Sequence, residues 1–166
     1  MKFDMIQAVR EAGFSGFKTA GELTRSNLAE VPEAPGVYMV VRDRTTPPAF
    51  ASRSQGGHFK GKDPTVDLAT LQRNWVSGAA VLYIGKAGGG SSSATLRQRL
   101  KRYLRFGAGH PVGHWGGRLI WQLRDADSLL FCWRPAGGAD AREFERQLIQ
   151  EFLKSFGTRP FANLQD

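Results

Sequence analysis

Three short apolar runs stand out along the chain: Gly36-Val37-Tyr38-Met39-Val40-Val41, Val81-Leu82-Tyr83-Ile84 and Leu129-Leu130-Phe131-Cys132-Trp133. Each is bounded by turn formers or charges: Pro35 and Arg42-Asp43, then Gly85, then Pro135. Runs of this length, rich in β-branched and aromatic residues, predict buried strands, and three of them predict a small sheet. Elsewhere the apolar period lengthens toward that of a helix. Residues 3–12 predict a short helix, and Thr24 to Val31 a further turn or helix ahead of Pro32. Thr95, with Gln98 three residues on, forms a capping box for a helix whose Leu96, Leu100, Tyr103 and Leu104 share one face. The last helix carries a continuous stripe of Ala141, Phe144, Leu148, Ile149, Phe152 and Phe156.

Between the first two strands lies a long insertion, residues 43–80. Its first part, Arg44 to Lys62, holds Pro47-Pro48 and Gly56-Gly57 and predicts a mobile loop. Its second part predicts a helix, with Asp63 as N-cap, Pro64 at the first helical position, and Leu68, Leu71 and Trp75 on one face. Gly88 to Ser93 reads as a loop. No internal repeat and no interdomain linker interrupts the pattern, and 166 residues with 41% hydrophobic positions suit one domain spanning 1–166. The expected class is α/β of the α+β type, with a three-stranded antiparallel sheet flanked by helices.

Composition narrows the partners. No apolar run approaches the ~20 residues that span a bilayer. A lone cysteine, Cys132, and an amino-terminal stretch unlike a signal segment lead us to expect a cytoplasmic protein without disulfides. The formal net charge is +8. From Lys86 to Arg124 the basic residues are Lys86, Arg97, Arg99, Lys101, Arg102, Arg105, Arg118 and Arg124, with His110 and His114 beside them and no acid. A segment of one sign repels itself unless it meets a polyanion, and nucleic-acid backbone is the commonest. A solvated basic helix is the plainer explanation, and acidic lipid a weaker one. We expect Arg97, Lys101, Arg102, Arg105, His110 and His114 to contact nucleic acid, the histidines being too isolated to form a metal cluster.

Two charged residues fall where charge is costly. Arg99 lies at the border of its helix's apolar face, beside Tyr103. Glu145 falls within the apolar stripe of the last helix, whereas Glu143 and Glu151 do not. A buried carboxylate must neutralise, pair with a cation or bind a metal, so a structural Glu145–arginine pair competes with a metal site. A single Mg²⁺ commonly takes only one or two protein carboxylates. Tyr38 and Tyr83, each within a strand, would by themselves be ordinary core aromatics.

Taken together, Gly36-Val37-Tyr38, Tyr83-Ile84-Gly85-Lys86-Ala87, Leu96-Arg97-Gln98-Arg99-Leu100, Glu145-Arg146-Gln147-Leu148-Ile149 and Pro160-Phe161-Ala162-Asn163 resemble, in order and local spacing, the motifs of the GIY-YIG nucleases. The likeness is closest to the nuclease module of the bacterial excision-repair incision subunit. It implies a metal-dependent nuclease acting on DNA, with Glu145 holding one Mg²⁺ or Mn²⁺ and Arg99 stabilising the phosphate. It further implies Tyr38 and Tyr83 as motif tyrosines, one of them activated to take a proton from water, and Lys86, Tyr103 and Asn163 in support. The chain departs from that pattern in its glycine-rich 87–95 segment and in the insertion. A catalytically silent nucleic-acid-binding module of a repair or recombination assembly is the alternative expectation.

Overall fold

The computed structural model describes residues 1–164. Helix α1 (Ile6–Glu11) leads into strand β1 (Ser15–Lys18) and helix α2 (Ala20–Arg25). Strand β2 (Gly36–Val41) is followed by the insertion, which contains helix α3 (Leu68–Asn74), and by strand β3 (Val81–Ala87). Then come helix α4 (Leu96–Gly107), two 3₁₀ turns (Arg118–Gln122 and Ala126–Ser128), strand β4 (Leu130–Pro135) and helix α5 (Ala141–Phe156). The sheet is antiparallel throughout, in the order β1-β4-β2-β3. It therefore has four strands, one more than the sequence pattern predicts. The extra one, Ser15-Gly16-Phe17-Lys18, lacks β-branched residues and pairs irregularly with β4 between Gly16 and Lys18, so it leaves no apolar alternation to read.

Strand β2 is buried along its whole length, and alternation divides it between two cores. Tyr38 and Val40 enter one core with Leu100, Tyr103 and Phe106 of α4 and with Trp121 and Phe131. Val37, Met39 and Val41 enter the other with Phe3, Val9, Leu148 and Phe152. Cys132 lies in that second core with no exposed surface, its Sγ turned toward the Met39 carbonyl at 3.8 Å. Helices α4 and α5 are well terminated. Thr95 and Gln98 form the capping box expected of them, Asp140 accepts from the backbone of Arg142 and Glu143, and Gly157 closes α5 at φ 72°.

Helix boundaries elsewhere shift from the expectation. The second helix begins at Ala20, capped by a reciprocal Thr19–Glu22 box, rather than at Thr24. The insertion helix begins at Leu68 with Asp67 as its cap. Asp63 instead closes a local turn by accepting from Thr65 N at 2.8 Å, which is why it reads as a cap in the sequence. Leu68 is 55% exposed, so Leu71 is the fully buried residue of that helix.

The insertion is also anchored, contrary to the mobile loop predicted for its first part. Backbone bonds run from Ala51 N to Gln122 O, Gln55 N to Trp121 O and Gly57 N to Phe106 O. Buried Gln122 completes the attachment, donating to the Ala51 and Val66 carbonyls and accepting from Val66 N. At Gly57 a Cβ would lie 1.9 Å from the His110 carbonyl oxygen, so only glycine permits the approach. Along the free edge of β3, Asn163 acts as a substitute strand residue. Its Oδ1 accepts from Ile84 N and its Nδ2 donates to Ile84 O, while Ala162 N donates to Leu82 O. No helix among the described residues is long and apolar enough to cross a membrane.

Candidate active site

Strand register sets the two motif tyrosines close together. In the β2–β3 ladder Tyr38 faces Gly85 and Val40 faces Tyr83, so the two side chains leave the same face on a diagonal. Their ring centroids are 5.9 Å apart. Gly85 supplies the space: a Cβ there would lie 2.6 Å from Tyr38 Cζ and 2.9 Å from Tyr83 Cε1. Tyr103, one turn beyond Arg99 on α4, closes a triangle with centroid distances of 6.1 Å to Tyr38 and 5.7 Å to Tyr83. Its hydroxyl donates to the Gly117 carbonyl at 2.7 Å, which ties the loop after α4 over the three rings. Gly117 adopts φ 77°, where a side chain would also run into the Tyr103 hydroxyl.

That loop delivers a residue the sequence misplaces. His114, expected as a surface contact to nucleic acid, is 1% exposed and sits edge-on against Tyr103, ring centroids 4.0 Å apart. Its Nε2 is 3.2 Å from the Tyr38 hydroxyl. Burial, with Arg99 and Arg102 adding to it, holds His114 well below the usual histidine range, so the ring is neutral. Its glycine-rich surroundings, Gly113 and Gly116-Gly117, were the available signal, since such spacing marks a backbone pressed against bulky rings.

Arg99 reaches the same place from α4. It is half-buried, and its Nε is buried without a partner among the described residues. An unsatisfied guanidinium donor is costly and is a natural receptor for an oxyanion. Burial pushes the Tyr38 phenol up to about 12, against which the charge of Arg99 and the nearby Tyr83 hydroxyl work. Tyr83 is raised well above 10, by burial first and then by Tyr38 and Tyr103. Both phenols therefore rest protonated where no cation stands beside them.

Glu145 belongs to this electrostatic group, since its charge contributes a small further rise to both Tyr38 and Tyr83. It is half-buried rather than buried, and it has an interaction of its own, so it is not the isolated core carboxylate that the apolar stripe predicts. Lys86 is half-buried, and strand alternation sends it to the face opposite the tyrosines, the face on which α5 packs. Asn163 supports β3 through Ile84 and stands beside the tyrosine strand rather than in the ring cluster. No group of three or more His, Cys, Asp or Glu side chains suited to a metal occurs among the described residues. A cation here would rest on Glu145, with water and substrate oxygens completing its shell, and that donor set suits Mg²⁺ or Mn²⁺.

The basic helix opens onto a cavity of about 540 Å³ lined by Gln98, Arg99, Lys101, Arg102 and Arg105, together with Ala94 and Val112. Lys101, Arg102, Arg105 and His110 are exposed. Arg97 is not a free contact to nucleic acid as expected. Its Nε donates to Val31 O, Nη2 to Ala29 O and Nη1 to Glu33, so it fastens the 29–33 segment to α4. Set against known protein families, curated proteins and solved structures, the chain gives no match in any of the three comparisons.

Proposed function

We propose that this chain is a metal-dependent nuclease of GIY-YIG type that hydrolyses phosphodiester bonds in DNA. One observation carries the reading: β2, β3 and α4 bring Tyr38, Tyr83 and Arg99 together within the field of Glu145, and Arg99 also lines a basic cavity. The Arg99 guanidinium, whose side chain lines the cavity, would take a non-bridging phosphate oxygen and stabilise the charge that grows there. A divalent cation on Glu145 would supply Lewis-acid polarisation and positive charge beside the phenols. Tyr83, held neutral, would orient the attacking water by a hydrogen bond, and Tyr38 would hold Tyr83 and Arg99 in place. Either phenol gives up a proton only as positive charge is brought against it. Lys101, Arg102 and Arg105 would carry the backbone of the bound strand along the cavity.

The exposed basic residues along the cavity also support a second reading, in which the fold binds nucleic acid without cutting it. Supercoiled plasmid incubated with Mg²⁺, Mn²⁺ or EDTA separates the two. Nicking that requires the cation supports the nuclease, and tight binding with intact plasmid supports the silent module.

Binding itself should weaken steeply with salt. If Arg99, Lys101, Arg102 and Arg105 each neutralise one phosphate, log K against log[salt] for duplex DNA should slope at roughly −3.6. Arg102→Ala should flatten that slope by about 0.9, whereas Arg97→Ala should leave it unchanged, because Arg97 is spent on the 29–33 segment. Titration of labelled duplex at several salt concentrations measures both. A flat plot removes the basic helix from the interface.

A further inference from the structure

Buried polar side chains normally complete their hydrogen bonds, because an unmade bond in the interior keeps its full desolvation cost. Three such side chains lie in the described core: Arg42, His114 and Gln122. Arg42 is saturated by Asp125, Arg44 O and Thr46, and Gln122 by Ala51 and Val66. His114 is the exception. Its Nδ1 has no partner among the described residues, and its hydrogen bond joins Nε2 to the Tyr38 hydroxyl. A histidine retained in the core with half its capacity unmet serves its remaining contact.

That contact is held from several sides. Tyr103 meets the ring in a T-shaped contact, Gly117 is tied to the Tyr103 hydroxyl, and Phe59 of the insertion lies against Gly113. We propose that His114 is the positioning residue for Tyr38: its Nε2 accepts the phenol hydrogen and fixes the C–O–H torsion. The oxygen lone pairs are thereby held toward the Tyr83 hydroxyl and the Arg99 guanidinium, which bond to it. The imidazole stays neutral throughout, as its surroundings require, and no proton passes to it. An imidazolium beside Arg99 would also leave Nε2 with no lone pair to accept with. This proposal rests on the nuclease reading, because the Tyr83 and Arg99 that Tyr38 holds are the groups assigned there to water and phosphate.

The test is a double-mutant cycle on Mg²⁺-dependent nicking of supercoiled plasmid, with thermal melts alongside. His114→Phe keeps the ring volume and should lower kcat roughly tenfold, the worth of one hydrogen bond, with KM unchanged. His114→Gln offers an amide oxygen near the Nε2 position and should recover much of the loss. In a Tyr38→Phe background His114→Phe should cost nothing further. Equal losses in both backgrounds, or no recovery with glutamine, would overturn the assignment. A wild type that never nicks sinks the nuclease reading instead. The imidazole ¹⁵N shifts then decide the pairing by themselves, since Nε2 should move on Tyr38→Phe, and an unmoved signal rejects it.

Discussion

Glu145→Gln is expected to reduce Mg²⁺-dependent nicking by roughly two to three orders of magnitude while leaving the melting temperature nearly unchanged. The amide is isosteric with the carboxylate, but it carries no charge to hold a hard cation. Had Glu145 been a fully buried partner of an arginine, removing its charge would cost about 3–5 kcal/mol. It is instead half-buried on α5, where water screens whatever it pairs with, and the cost falls to about 1 kcal/mol or less. Melts across a Mg²⁺ series add a second readout. The wild type should gain stability as Mg²⁺ rises, since the ion binds the folded state, and the variant should not. A variant that melts several degrees early, responds to Mg²⁺ as the wild type does and still nicks DNA would remove Glu145 from the site.

The second large effect is steric. In Gly85→Ala the new methyl would lie 2.6 Å from Tyr38 Cζ, 2.7 Å from its hydroxyl and 2.9 Å from Tyr83 Cε1. Neither ring has room to retreat. Tyr38 has no exposed surface and is bonded to His114, and Tyr83 is packed against Tyr103 and beneath Gly116-Gly117. Overpacking of this kind costs about 1–3 kcal/mol, and two immobile rings put Gly85→Ala at the upper end. For a chain of this size that lowers the melting temperature by roughly 6–12 °C. Cleavage should fall as well, because the tyrosines can admit the methyl only by leaving the geometry that orients water. A melting temperature equal to that of the wild type would mean that the ring cluster is loose, and would undercut every geometric role assigned to it.

What the sequence revealed and what it hid follow from the range of the interactions involved. Strands β2, β3 and β4 were legible because apolar, β-branched runs have few other uses, and α4 and α5 because their stripes repeat at the helical period. Tyr38 and Tyr83 could be singled out only through the resemblance of the motif series, and Arg99 also from its place at the border of an apolar face, although their meeting required the diagonal register of two strands and the packing of a helix. Strand β1 was hidden because it owes its place to pairing with β4 rather than to its own composition. His114 and Arg97 were misjudged for a common reason. A basic residue in a basic stretch reads as solvated, and only tertiary contact shows one carried inward on a glycine-rich loop and the other clamped to Val31 and Glu33. The anchoring of the insertion was invisible for lack of a side-chain signature, since its bonds are mostly backbone to backbone around Gln122.

Cys132 gives the molecule a clock. The thiol lies sealed between β2 and its own strand, with no exposed surface, and burial raises it far above the ordinary thiol range. No reagent can reach it while the sheet is intact, so the rate of alkylation counts openings of the sheet rather than encounters at the surface. At low reagent concentration that rate reports the equilibrium population of the open form, and at high concentration it approaches the opening rate itself. Alkylation followed by intact mass should therefore slow when Mg²⁺ and DNA are added together, in proportion to the stability they confer. A ligand's grip on the folded chain can thus be timed without a label being introduced.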